Sequence, residues 1–153
     1  MIKKILYRSL LSSFFSAVVF ILMSCTKTED MPPEIRIDRT GCARCRMLIS
    51  DTRFAAALKT NDYLIFDDIG CMLEYSRTHT NTTEASVWVR DFGSDRWIHS
   101  EDAVFYFQDN KQTPMGYGYI AVRKDASNPE NPVPGTTFIG SLQELNAKFV
   151  AKS

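Results

Sequence analysis

Two thiols three positions apart, with a thioether two positions after the second, stand in Gly41-Cys42-Ala43-Arg44-Cys45-Arg46-Met47. If a turn leads here into an extended strand, Cys45 and Met47 point to one face, because strand side chains alternate with period two, and Cys42 reaches that face from the turn. Soft sulfur donors grouped in this way suit Cu(I) better than a hard cation. Cys71 and Met72 form a second sulfur pair in the first turn of an expected helix. The positive end of that helix favours a thiolate at Cys71. Met72 falls on the apolar stripe and reads as a core filler, with Cys71 about 100° away around the helix. Met115, held between Pro114 and Gly116 in a turn, is a candidate third ligand. His79 and His99 read as solvated side chains.

The same cysteines admit other chemistries. Cys42 and Cys45 spell the spacing of thiol–disulfide oxidoreductases, of zinc sites and of simple disulfides. A redox pair usually opens a helix after a strand, whereas Met47-Leu48-Ile49 follows here with no capping residue. A structural zinc site would take Cys42, Cys45, Cys71 and a histidine. The chain has four cysteines. With Cys25 set aside for the reason given next, three remain, and an odd number leaves at least one thiol outside any disulfide.

Residues 1–24 have the three parts of a secretory signal: the basic start Lys3-Lys4 with Arg8, an apolar run from Leu10 to Met23, and a closing Leu22-Met23-Ser24-Cys25. The run is short for a membrane span, which needs ~20 residues. The ending is similar to a bacterial lipobox, so Cys25 is expected to carry lipid and to hold the mature chain in the cell envelope, on the periplasmic side or at the outer membrane. The signal would remove three of the 18 basic side chains and none of the 18 acidic ones, leaving 15 against 18 and a net charge of −3. No basic stripe remains to follow a phosphate backbone, which excludes nucleic acid as the expected partner. Residues 25–39, with Pro32-Pro33, read as a lipid-anchored tether, and 40–153 as the functional domain.

The elements that must position the sulfurs follow from periodicity. Arg53–Lys59 and Tyr63–Asp67 flank the polar turn Thr60-Asn61-Asp62 as a hairpin. Asp67 or Asp68 caps a helix from about Ile69 to Arg77, with Ile69, Met72, Leu73 and Ser76 inward. Ser86–Phe92 alternates as a strand. A second unit begins after Gly93-Ser94-Asp95, with extended segments at Arg96–His99, Ala103–Phe107 and Tyr117–Arg123. Lys124–Thr137, with three prolines, reads as a long loop, and Ser141-Leu142-Gln143-Glu144 is a capping box that opens a terminal helix. The expectation is an α+β fold of two small units, about 40–93 and 94–153. The first is β-β-α-β, and the second is β-β-α with a weak or missing last strand.

Taken in order, Cys42-Ala-Arg-Cys45-Arg-Met47, Phe66-Asp67-Asp68-Ile69-Gly70-Cys71-Met72, Trp97-Ile98 ahead of Asp102-Ala103, and Thr113-Pro114-Met115-Gly116-Tyr117-Gly118 resemble the NosL family. The likeness runs from about Thr40 to Val122 and extends to the lipobox. It implies two related β-β-α-β units similar to part of organomercurial lyase. It also implies a non-catalytic lipoprotein that binds Cu(I) and serves assembly of a cuproenzyme, nitrous-oxide reductase in that family. The carried-over ligands are Cys45 and Met47, with the Met115-Gly116 turn; Cys42 and Cys71 complete the candidate set. Arg46 stands where the family commonly has glycine, and no histidine precedes the motif. The expected partners are the copper acceptor or its membrane assembly complex, and the membrane itself through the lipid.

Overall fold

The structure, a computed structural model, describes residues 31–79, 82, 85–124 and 134–152. The signal segment, Cys25 and the beginning of the tether lie outside these residues. No helix among the described residues is long and apolar enough to cross a membrane.

The first sheet is antiparallel, in the order β2-β1-β3-β4: β1 Ala56–Lys59, β2 Tyr63–Phe66, β3 Ser86–Arg90 and β4 Trp97–His99. Thr60-Asn61-Asp62 is the hairpin turn, closed by Thr60 N–H donating to the Asp62 carbonyl at 3.1 Å. β1 is central, so Ala56, Ala57 and Leu58 are all buried, and Leu58 stands between Leu64 and Val87 in register. Arg53 does not begin that strand, since Thr52–Phe54 is a 3-10 turn capped by Asp51. Trp97–His99, expected to open the second unit, is instead the fourth strand of the first sheet, paired with β3.

Helix α1, Ile69–Thr78, follows β2 directly and is capped by Asp68, whose side chain accepts from Gly70 N–H at 2.8 Å. Ile69, Met72 and Leu73 are buried as their spacing requires. The second sheet is antiparallel in the order β6-β5-β7: β5 Ala103–Gln108, β6 Tyr119–Arg123 and β7 Thr136–Gly140. β7 corrects the expectation of a loop from Lys124 to Thr137 running straight to the terminal helix, and no strand follows that helix among the described residues. Three prolines ahead of it mask a short run, Thr136-Thr137-Phe138-Ile139, that pairs with β5 through one register shift at Phe105/Tyr106. Helix α2, Leu142–Lys152, closes the chain. Its capping box forms as expected: Ser141 N–H donates to Glu144 at 2.6 Å, and Glu144 N–H donates to Ser141 Oγ at 3.3 Å.

One core serves both sheets. Leu58, Phe66 and Ile69 pack in the same cluster as Phe105, Tyr119, Leu145 and Phe149. The sheets also meet through main chain, where Phe92 N–H donates to the Ala121 carbonyl at 2.9 Å. At Gly70 an added Cβ would overlap the Tyr117 ring, so glycine is what lets the 113–118 turn lie against the start of α1. The presumed tether is shorter than expected. Pro33 is buried, its carbonyl accepts Trp97 Nε1–H at 2.8 Å, and Asp38 N–H donates to the Ile49 carbonyl at 3.0 Å.

Candidate metal centre

Three short segments converge beside the start of α1. The first is the Cys42–Met47 loop. Cys42 N–H donates to the Met47 carbonyl at 2.8 Å, Arg46 N–H donates to the Cys42 carbonyl at 3.1 Å, and Gly41 bridges Leu48. The loop is a tight reversal instead of a turn running into a strand, and Arg46 makes the bend with φ +67°. That left-handed conformation is the one glycine adopts most cheaply. Ala43 N–H donates to the Ile65 carbonyl at 2.7 Å, docking the loop on the outer edge of β2. The second segment is the end of β2, where Asp67 follows Phe66. The third is the first turn of α1, which carries Cys71.

The ligand atoms of Cys42, Cys45, Asp67 and Cys71 all lie within 4.8 Å of one another. This cluster can hold a metal ion. All three cysteines are free thiols. Cys42 and Cys71 are buried, whereas Cys45 is partly exposed. Cys45 Sγ donates to Asp67 Oδ2 at 3.4 Å. Asp67 is only 2 % exposed, and its Oδ1 has no hydrogen-bond partner. A buried polar atom left unpaired costs ~1–3 kcal/mol, so an oxygen in that state beside three sulfurs fits a cation. Proton affinities divide among the thiols. A hydrogen bond from Cys71 lowers Cys42 to about 6. Burial raises Cys45 to about 11. Cys71 is raised because it donates to Cys42, with burial adding to the effect. The expectation of a helix-favoured thiolate at Cys71 is therefore corrected: the neighbouring sulfur takes the charge and Cys71 keeps its proton. The turn of about 100° between Cys71 and Met72 separates their roles, as the spacing implies. Met72 goes to the core and Cys71 to the cluster.

The methionines sit around this centre differently. Met47 is 52 % exposed. With Leu48, Thr113 and Pro114 it lines a cavity of about 320 Å³ whose wall also includes Asp67. Met115 is partly buried against the core cluster that contains Cys42 and Cys71. Its turn is fixed by Asp68, whose Oδ2 accepts from Thr113 Oγ1 at 2.6 Å and Met115 N–H at 3.1 Å. Burial raises the Asp68 carboxyl above its ordinary range despite these bonds. The histidines stand outside the cluster. His79 stacks on Tyr75 with ring centroids 3.8 Å apart, and His99 lies over Trp88 at 3.7 Å. The fourth group beside the three thiols is Asp67, where a zinc reading of the sequence would have put a histidine.

Asp67 escaped the sequence reading because Asp67-Asp68 offers two equivalent caps for one helix. The available signal was the surplus: one aspartate caps, and the other, directly after an apolar strand, needs its own explanation.

No protein-family model, no curated protein and no solved structure matches this chain.

Proposed function

We propose that the protein is a lipid-anchored carrier of a thiophilic metal ion, Cu(I) first, passing it to an acceptor cuproenzyme in the cell envelope. The observation that carries this reading is the meeting of three thiols and the Asp67 carboxylate within 4.8 Å, with the other need of that buried carboxylate visible in its unpartnered Oδ1, beside a cavity at whose rim a methionine stays exposed. Two or three sulfur ligands hold Cu(I) firmly, and a site reached from one side releases it by ligand exchange. In each exchange an acceptor thiolate forms a bond to the metal as a bond to Cys45 breaks. The freed sulfur takes up the proton that the acceptor thiol lost, and no electron moves. The order of the sequence motifs, with its resemblance to the NosL family, supports copper and makes nitrous-oxide reductase the first acceptor to test.

The reduced, metal-free protein should bind one Cu(I) in competition with a chromophoric chelator. Because one of the three thiols is already ionised near neutrality, binding through all three should release about two protons. Cys45→Ala and Met47→Ala should each weaken binding. The cysteine should cost more than the ~100-fold expected of groups behind the ligands. Undiminished affinity in both variants would sink the assignment.

Asp67 favours a second reading, a Zn(II) carrier, since three sulfurs and one oxygen make a tetrahedral set. Asp67→Ala separates the two, abolishing zinc binding while leaving Cu(I) on the sulfurs. A thiol–disulfide oxidoreductase is less well supported. The thiol with the lowered pKa, Cys42, is 1 % exposed, while the more accessible Cys45 is the one whose proton is held.

A further inference from the structure

The loop that carries Cys42 and Cys45 also presents an outward face that the centre itself does not use. Met47 and Leu48 are 52 % and 54 % exposed, and with Pro114 they line the same cavity. Arg46 precedes them. Arg39 is exposed on the segment that runs antiparallel to Leu48-Ile49, where Ile49 N–H donates to the Thr40 carbonyl at 2.9 Å. Among the described residues the other arginines of this stretch are paired: Arg36 with Glu34, Arg44 with Glu74 and Arg53 with Asp51. Arg39 and Arg46 enter none of the ion pairs among the described residues.

Charge is distributed in keeping with this. Residues 34–53 hold five arginines against three carboxylates, whereas the rest of the chain beyond residue 24 holds 10 basic against 15 acidic side chains. The segment that carries the metal loop is thus net basic within an acidic chain, with Glu74 against Arg44 and with Asp51 and Asp67 in the cavity wall. Backbone strain points to the same residue. A β-carbon at φ +67° costs ~1 kcal/mol that glycine would avoid, and the site keeps a long charged side chain there nonetheless. Exposed methionine and arginine beside Leu48 are the composition of a protein-binding patch.

Resting on the carrier reading above, we propose that Arg46, Met47 and Leu48, flanked by Arg39, form the docking surface for the metal acceptor. We further propose that this partner is a protein whose own sulfur ligands are ringed by carboxylates. The arginines steer encounter and set orientation. Met47 and Leu48 exclude water from the gap in which the metal changes ligands.

The test uses Cu(I)-loaded protein and two synthetic peptides, each with a Cys-x-x-Cys pair, one flanked by glutamates and one by lysines. Transfer to the acidic peptide should be faster by ~10-fold or more at ~10 mM salt, and the preference should collapse at ~300 mM. The double variant Arg39→Glu/Arg46→Glu should reverse the preference. Arg46→Lys should keep it, and Arg46→Gly should reduce it even though its backbone is relaxed. Equal rates to both peptides at every salt concentration would overturn the docking surface and leave the carrier standing. Failure to bind Cu(I) at all would overturn both. Capture on phosphatidylglycerol vesicles that Arg46→Glu abolishes, with peptide transfer unchanged, would assign the face to the membrane and also overturn the proposal.

Discussion

The two helices occupy comparable places, each following a strand and each packing on the shared core, yet their first turns are built from opposite materials. At α2 the cap is Ser141 with Glu144, exposed to water and closed on itself. At α1 it is Asp68, 0 % exposed, preceded by a second buried aspartate and followed three residues on by a buried cysteine. A helix start needs only the first kind of chemistry. The second costs desolvation and, at Asp67, leaves an oxygen unpaired, and the excess at α1 coincides with the cluster that can hold a metal ion.

That contrast can be broken experimentally. Asp68→Ala removes the α1 cap and strands the Thr113 hydroxyl and the Met115 amide. It should cost ~3 kcal/mol or more in urea unfolding, against ~1 kcal/mol for Ser141→Ala. Equal losses would mean that the buried aspartate is only a cap. Asp67→Asn should act in the opposite sense, stabilising the metal-free protein by ~1 kcal/mol while weakening zinc, the trade expected of a functional residue. A net loss of stability would mark Asp67 as structural.

Arg46→Gly should raise the melting temperature by the equivalent of ~1 kcal/mol, less the entropy glycine adds to the unfolded chain. A separate effect is in pH. Cys42 is lowered from 9.0 to about 6 in the fold. Its contribution to stability is therefore fully present above pH 9 and is lost as pH falls through 6. The metal-free, reduced protein should accordingly weaken from pH 9 to 6, and Cys42→Ala should flatten that slope. A slope unchanged in the variant would remove Cys42 as its source.

Much of the fold was legible in the residues, and for identifiable reasons. The hairpin, α1 and the Ser141 box each rest on local rules, so Thr60-Asn61-Asp62, Asp68 and Glu144 act where they were expected. The errors came where tertiary pairing decides. Trp97–His99 joined the sheet before it, and Thr136–Gly140 paired with β5 despite the prolines ahead of it. Within the candidate centre, the three thiols were visible as residue types, but their meeting was not. It depends on Ala43 docking to the β2 edge, a long-range hydrogen bond with no sequence signature. Cys71 keeps its proton although it lies in the first turn of α1, because its hydrogen bond to the Cys42 sulfur and its burial outweigh the helix end.

Asp68 accepts from Gly70 N–H, the Thr113 hydroxyl and Met115 N–H at once. Two amides on separate segments therefore share a single acceptor residue, and displacing the Asp68 side chain breaks both bonds together. Their hydrogens should exchange with solvent in one joint opening, at matched rates that slow together when metal is bound.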